Sequence, residues 1–457
     1  MMLRHIAVID VGKTNAKLVL FDAVDGREVE RLSVANTVMP GPPYLHYDLD
    51  RLWRFILDGL QKLAAAHGVD AISITTHGAT AVLMAGDTIA LPVLDYEHAG
   101  PERLREDYDK LRAGFAETFS PPLPVGLNLG AQLFFQHETE PAAFAAVTDI
   151  LMYPQYWALR LTGIKASEVT SLGVHTDLWA PKRHDFSALV DAMGWRKLFP
   201  PLRLARSVVG PVSAAVAEIT GLDPQTPVAT GIHDSNASLL PYLLAAKQRL
   251  SVVSSGTWTI VMSPGAETDR LDERRDCLAN VDVFGRPVPT ARFMGGREFA
   301  VLMAGIEAPI PDDADIGHVL DKDVMVLPGF VGAVGPFPRA KGTWINAPEG
   351  LTPARRLAAV SLYLALMTAT ALDLCGCGDD IMLEGPLAHN ELFARALSAL
   401  TGKRVRPSHE GTGTALGAAM LFDAVPPDIV RLSEPVTPLE HPGLASYARR
   451  WRQRTGA

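Results

Sequence analysis

Two distant stretches of this chain are built to one plan, and that repetition constrains the fold more than any other feature. HIAVID, residues 5–10, reads as a buried strand, and AKLVLF, residues 16–21, as a second; small and polar residues at 12–15 form the turn between them. RLSVVSSGTWTIVMSPG, residues 249–265, repeats the arrangement. LSVV is a strand, residues 254–257 a turn, and WTIVM a second strand. Two halves that each open on such a hairpin predict two similar domains, a pair able to hold a nucleotide between them.

The first turn contains Gly12-Lys13-Thr14, the letters that end a P-loop. A P-loop also needs a glycine five positions before Gly12, where Ala7 stands, and a helix after the loop. AKLVLF has neither a helix cap nor a 3.6-residue rhythm. The segment therefore reads as a hairpin turn. Its backbone N–H groups can still hold phosphate oxygens, and Asp10 at the end of the first strand can hold a hydrated Mg²⁺. An ordinary N-terminal hairpin with a surface lysine is the competing reading.

A length of 457 residues suits two or three domains, with 48% hydrophobic and 20% charged residues, as in soluble globular proteins. The net charge of −9 gives no electrostatic support to nucleic-acid binding. Cys277, Cys375 and Cys377 make no disulfide framework, and Cys375-x-Cys377 lacks a second ligand pair, so reduced thiols and a cytoplasmic location are expected. No signal peptide is expected, since His5 and Asp10 interrupt the first apolar stretch. The most membrane-like segment, residues 357–372, is short for a span and carries Ser361, Tyr363, Thr368 and Thr370. With Thr352-Pro353 as cap and first residue, it reads as a buried central helix, and no membrane association is expected.

Further along, residues 49–68 show helical spacing ending at Gly68, and 70–80 read as strand then loop. Residues 142–163 read as a helix broken near Pro154. Residues 226–247 read as strand, turn and helix; 379–406 as strand, loop, helix and strand; 411–425 as a glycine-rich turn opening a small-residue helix. From about residue 426 the chain reads as a tail packed on the surface or partly loose.

The sharpest chemical candidate is GIHDSN, residues 231–236. Asp234 sits at a strand-to-helix turn, where its carboxylate can accept the proton of an attacking hydroxyl. The plainer role for such an aspartate is capping a helix that begins near Ala237. Gly256 and Thr257 in a tight turn offer donors to phosphate; an unremarkable hairpin turn has the same spelling. In EGPLAHNELF, the small residues before a helix can lie against adenine or ribose, or the stretch can simply hold a helix cap at Asn390 or nearby. GTGTALG, residues 411–417, is a weak glycine-rich signal that close helix packing explains equally well. His77 and Gly78, with Asp95, Tyr96, Glu97 and His98, form two post-strand clusters suited to sugar hydroxyls; structural roles are commoner for such residues singly.

The order of these segments resembles the FGGY carbohydrate kinases of the actin and hexokinase superfamily, to about residue 425. DVGKTNAKLVLFD is similar to that family's first phosphate hairpin, YPQYWALRLTG with SEVTSLGVHTDLW to its central segment, and GLDPQTPVATGIHD to the segment ending in its catalytic aspartate. SSGTW resembles the second phosphate motif, VLPGFVGAVGPFPRAKGTW the loop before the long central helix, and EGPLAHNELFARALSALTGKRV the adenosine segment. His233-Asp234 together with SSGTW points toward the fuculose and rhamnulose kinase branch. Gln155 in place of aspartate, Glu384-Gly385-Pro386, Leu362-Tyr363 and Lys13 depart from the family pattern.

The resemblance implies an α/β protein of two actin-like (ribonuclease H-like) domains with a cleft between them. Residues 1–243 would carry the sugar site and first phosphate hairpin, and 244–457 the nucleotide site. It implies ATP and Mg²⁺, with Asp10 toward the metal and Gly12, Lys13, Thr14, Asn15, Lys17, Gly256, Thr257, Gly385, Pro386 and Asn390 toward the nucleotide. His77, Gly78, Asp95, Tyr96, His233 and Asp234 would face the sugar, Asp234 as the base. The expected reaction is ATP-dependent phosphorylation of a primary hydroxyl of a ketose, L-fuculose or L-rhamnulose foremost, by an enzyme able to form a homodimer. Alternatives are a kinase for xylulose, ribulose or erythritol, a non-catalytic sugar or nucleotide sensor, and an ATPase without a sugar substrate.

Overall fold

The opening strand, His5–Val11, is buried on both faces beyond its first residue, which is why its sequence is almost uninterruptedly apolar. It pairs antiparallel with Asn15–Asp22 and parallel with Ala71–Thr76. The computed structural model describes residues 3–332, 334–347, 349–408 and 413–456. It divides into two units: Met1–Ala245 with Ala279–Arg286 and Thr412–Val430, and Ala246–Leu278 with Pro287–Gly411 and Arg431–Ala457.

In the first unit the main sheet runs Val208–Pro211, Pro227–Ala229, Ala71–Thr76, His5–Val11, Asn15–Asp22, Arg27–Ala35, with Ile232–His233 also pairing to Ala71–Thr76. The edge strand Arg27–Ala35 is mostly half-buried or exposed, and Arg27, Glu28, Glu30 and Arg31 discourage further pairing there. Helix Leu49–His67 packs on this sheet through Leu49, Leu52, Ile56, Leu60 and Leu63. Asp48 caps it by accepting the Arg51 N–H, and Gly68 ends it at φ +77°.

In the second unit five strands follow one another as Pro287–Phe293, Thr259–Met262, Leu250–Ser255, Asp380–Glu384, Arg404–Pro407. Leu250–Ser255 pairs antiparallel with Thr259–Met262 and parallel with Asp380–Glu384, repeating the arrangement around His5–Val11. The flanking pairs match as well: antiparallel beyond the hairpin, parallel beyond the crossover. The duplication predicted from two hairpins is thus a duplication of sheet topology.

Helix Pro353–Cys375 starts at the Thr352 cap with proline at its first turn. It is the one described helix long and apolar enough to cross a membrane, and 83% of its apolar window is buried in the protein.

Two expectations need correction, and one left open is decided. Residues 142–163 are not one broken helix: Pro141–Ala145 and Tyr153–Thr162 are helical, and Asp149–Met152 between them is a strand paired antiparallel with Ala81–Ala85. Pro154 opens the second helix rather than breaking it, since its missing N–H costs nothing in the first turn. Of the two readings of the C-terminal segment, packed or partly loose, the packed one holds for its helix. Helix Leu444–Thr455 buries Trp451, whose Nε1–H donates to the Val326 carbonyl at 2.8 Å, and Tyr447, whose hydroxyl donates to Val324 O at 2.9 Å. The expected division at 243/244 falls at Ala245/Ala246, and Ala279–Arg286 and Thr412–Val430 return to the first unit. Helix Gly413–Ala419 lies so close to helix Asp234–Ala245 that a Cβ at Gly417 would sit 1.6 Å from Ala237 O. Linear order hides that packing.

Candidate active site

The strand register of the first hairpin places Lys17 directly across from Asp10. Lys17 Nζ lies 3.9 Å from Asp10 Oδ2, and Thr414 Oγ1 donates to the same oxygen at 2.7 Å. Asp10 is largely buried. Desolvation raises its carboxyl pKa and the nearby Asp234 charge adds to the rise; the Thr414 bond and Lys17 oppose it. The turn itself is pinned by Gly12 N–H to Asn15 O at 2.9 Å and by Asn36, which donates to Thr14 O and Gly12 O. Thr14 and Asn15 are at the surface, joined by a 3.2 Å side-chain bond. Lys13 has other partners. Its ammonium pairs with Asp95 and with Glu97 at 3.3 Å, so this nucleotide-side candidate sits instead among the sugar-side ones.

Asp234 follows strand Ile232–His233 and is the first residue of helix Asp234–Ala245. The helix does not begin near Ala237, and Asp234 Oδ1 accepts from the adjoining Ser235, N–H at 2.6 Å and hydroxyl at 3.3 Å, rather than from a residue further along the helix. Its side chain keeps 31% exposure, enough to meet a substrate. Desolvation raises its pKa above the usual carboxylate range, with His77 and the Ser235 bonds opposing.

A chain of bonds aims this strand end. Glu168 caps the short helix Val169–Leu172 and accepts the Thr170 hydroxyl at 2.6 Å; Thr170 Oγ1 in turn accepts the His233 N–H at 3.1 Å. Gln155 Nε2 donates to Thr230 O at 3.0 Å, just ahead of Gly231. Gly231 has φ +94°, and a Cβ there would meet Pro154 Cβ at 3.0 Å. Buried His233 holds Nε2 3.1 Å from Asp234 Oδ1, and a Cβ at Gly78 would come within 2.8 Å of that same nitrogen. Burial lowers both His77 and His233 to about 4, so both rings are neutral at pH 7.

His77 stands beside Tyr47, Tyr96 and Tyr153, with ring centroids 5.3, 5.5 and 5.1 Å away. The first unit therefore brings together Asp10, Lys17 and Asp234, and beside them His77, Gly78, Asp95, Tyr96 and His233. His98 belongs elsewhere, against Tyr44 and Phe135. Sequence reasoning missed Tyr47, Tyr153, Glu168 and Thr170 as individual residues, and Thr414. No local signal marks Thr414; Gly411 and Thr412 of the same glycine-rich segment lie outside the described residues.

The second unit has its own cavity of ≈ 420 Å³, lined by Ser255, Gly256, Thr257, Pro386, Leu387 and Asn390 on one side. Gly296, Arg297, Phe299 and Ala300 from helix Gly295–Met303 complete it, and nothing local singled them out. Its volume suits a nucleoside-sized ligand. Two glycines allow the close backbone approach: a Cβ at Gly296 would sit 2.1 Å from Gly256 O, and one at Gly385, at φ +76°, 1.9 Å from Ser255 O. Ser255 Oγ donates to Glu384 O at 2.5 Å and accepts the Leu387 N–H at 3.0 Å, fixing the turn against the hairpin. Asn390 does cap helix Glu391–Thr401, accepting the Phe393 N–H at 3.0 Å, while its amide donates to Ser361 at 2.8 Å. It lines the cavity as a capping residue.

Two family models match in the order of the two units: the FGGY family of carbohydrate kinases, N-terminal domain, over residues 5–241, and Carbohydrate kinase FGGY, C-terminal domain, over 247–429. The chain belongs to the FGGY family of carbohydrate kinases. The crystal structure of a carbohydrate kinase from Novosphingobium aromaticivorans is similar to this FGGY chain at 38% identity and a TM-score of 0.92, covering 100% of this chain and 99% of that one. L-fuculokinase of Salmonella typhi is 26% identical over 274 residues, 58% of this chain and 57% of that protein. L-xylulose/3-keto-L-gulonate kinase of Escherichia coli (strain K12) is 26% identical over 304 residues, 63% of this chain and 58% of that protein. The matched regions thus span less than two thirds of these two curated relatives. The two-domain mixed α/β fold is that of sugar kinases of the actin and hexokinase type.

Proposed function

We propose that this FGGY chain transfers the γ-phosphoryl group of ATP to a primary hydroxyl of a ketose. The observation that carries the reading is Asp234: a carboxylate at a strand end, partly exposed, held from behind by Glu168, Thr170 and Gln155, with Oδ1 on its neighbours His233 and Ser235 and Oδ2 accepting from no described residue. A general base needs that combination of fixed backbone and free oxygen.

Asp234 takes the hydroxyl proton as the substrate oxygen attacks the γ-phosphorus, and ADP leaves with the bridging electron pair. His233 and His77, neutral at working pH, leave the proton to the carboxylate. Phosphoryl transfer asks mainly for alignment and charge neutralisation. Lys17 and the hairpin turn supply positive charge and N–H donors beside Asp10. The cavity at Gly256, Gly296 and Pro386 suits the nucleoside of ATP.

Magnesium, implied by the family, would be held by Asp10 through water and by the phosphates of ATP, where it would neutralise developing charge. No cluster of three or more metal-ligating side chains exists among the described residues. One carboxylate with retained waters fits the habits of Mg²⁺.

A deoxyketose such as L-fuculose or L-rhamnulose is the foremost substrate, supported by the His233-Asp234 pair and the resemblance to L-fuculokinase. The enzyme is read as a cytoplasmic protein able to form a homodimer. The deciding experiment is ADP release with Mg-ATP against L-fuculose, L-rhamnulose, L-xylulose, L-ribulose, D-xylulose, D-ribulose and erythritol, with Asp234→Asn as control. Turnover with one sugar, lost in the variant, establishes the reaction. Absence of sugar-dependent turnover across the panel, with sugar binding retained in calorimetry, would favour the sensor reading instead.

A further inference from the structure

The first hairpin carries two lysines that serve different places. Lys17 faces Asp10, whereas Lys13 Nζ lies between the Asp95 and Glu97 carboxylates, over the rings of Tyr96 at 4.8 Å and Tyr47 at 5.3 Å. The Lys13 side chain is 18% exposed and Asp95 4%. One ammonium set against two carboxylates leaves the group with a net negative charge.

The unfilled hydrogen-bonding capacity here is specific. Asp95 Oδ1 takes Lys13, the Tyr47 hydroxyl at 3.2 Å and the Glu97 N–H at 3.1 Å, and Oδ2 accepts from no described residue. His77 Nδ1 faces the Gly78 carbonyl at 3.0 Å, so that nitrogen carries the proton. Nε2 is then a buried lone pair with no partner. Lys13 has three N–H donors and two carboxylate partners, so one remains. Two acceptors and one donor therefore await a ligand beside three tyrosine rings.

We propose that Lys13, with Asp95 and His77, is the specificity-determining set that reads adjacent hydroxyls of an uncharged sugar and rejects sugar acids. The inference rests on the kinase reading above and deepens it. A hydroxyl donates and accepts at once, so neighbouring hydroxyls can satisfy Asp95 Oδ2, His77 Nε2 and the spare Lys13 N–H together. A carboxylate brings no proton for the two acceptors and meets the excess negative charge of Asp95 and Glu97. A site that leaves its buried polar groups unpaired discriminates strongly against the wrong substrate. The position of Lys13 in the turn would suggest a phosphate ligand, but its ammonium is already committed to the sugar side.

The test compares the full-length wild type, Lys13→Met and the double variant Lys13→Met/Asp95→Asn, in Mg-ATP turnover with the ketose panel and D-gluconate. Sugar binding is also measured calorimetrically without nucleotide. Lys13→Met should raise the sugar KM about 10–100-fold, the worth of a charged hydrogen bond, and weaken sugar binding alike. Its KM for ATP should stay within about twofold, a small change by the same measure. The double variant removes the orphaned Asp95 charge; it should recover any lost thermal stability but not the sugar KM. An unchanged sugar KM in a folded Lys13→Met, a rise confined to the ATP KM, or recovery of the sugar KM in the double variant would each overturn the assignment. So would gluconate outperforming every ketose in the wild type. A wild type that turns over none of these compounds sinks the kinase reading itself, a result separable from all of these.

Discussion

Thr414 Oγ1 donates to Asp10 Oδ2 at 2.7 Å, tying helix Gly413–Ala419 to the end of the opening strand of its own unit. Desolvation raises the Asp10 pKa and this bond opposes the rise. Thr414→Val removes a bond that favours the ionised form, so the Asp10 pKa climbs further. The expected outcome is a loss in kcat/KM for Mg-ATP that is largest on the acid limb and reaches roughly tenfold there, from a charged hydrogen bond of about 1.5 kcal/mol. The loss should shrink as pH rises and Asp10 ionises, and Thr414→Ser should restore the wild-type profile. A deficit of equal size at every pH would mean that Thr414 acts only through packing.

Asp234→Asn keeps the shape of the side chain and removes the base. The rate should fall roughly 10²–10⁴-fold, while sugar affinity measured by calorimetry stays near the wild-type value. Full activity in this variant would take Asp234 out of the mechanism.

The pH–rate profile follows from the same groups. Activity needs ionised Asp234, whose pKa lies above the usual carboxylate range, so the acid limb should be displaced upward. His77 and His233, both at about 4, are already neutral before the working range is reached. Neither ring should therefore contribute an inflection at the ordinary imidazole value of about 6.5. A step there that vanishes in His233→Asn would show that the ring does titrate.

Much of this was legible in the sequence, for an identifiable reason. The hairpins, the strand-to-helix turn at Asp234 and the long helix Pro353–Cys375 are local patterns, and local patterns survive without coordinates. Thr414 and the cavity residues Gly296, Arg297 and Phe299 were silent because their roles come from packing between segments far apart in the chain. Strand Asp149–Met152 was hidden because a four-residue apolar run between helical segments has no period of its own; its partner Ala81–Ala85 decides it. Lys13 misled because a lysine's long stem lets its charge work far from its backbone.

Gly385 supplies a test of the nucleotide cavity. A Cβ there would collide with Ser255 O at 1.9 Å, and its φ of +76° disfavours any side chain. Gly385→Ala must push the turn before Asn390 away from the hairpin at Ser255–Gly256. The KM for ATP should rise while sugar binding measured without nucleotide holds. The variant should also lose about 1–3 kcal/mol of stability, the usual cost of such strain. Unchanged ATP affinity would place the nucleotide outside this cavity.

Glu168 offers a stability test with a definite sign. It is fully buried, and desolvation pushes its carboxyl up to about 7 against the pull of the Thr170 and Ser171 bonds. Its folded pKa exceeds its unfolded value, so the neutral acid is the form that folding favours. The contribution is complete below about 4.5, the ordinary glutamate value, and is lost as pH rises through about 7. The span corresponds to about 3 kcal/mol. Glu168→Gln cannot ionise. It also turns a donor-bearing amide toward the N–H groups of Thr170 and Ser171, so it should be less stable than wild type at pH 5. Urea unfolding at half-unit steps from pH 5 to 8 should show the two stabilities converging. Parallel curves would mean that Glu168 keeps one protonation state across the range. Because Thr170 also holds the His233 N–H, the variant should loosen the strand that presents Asp234 and lower kcat at every pH.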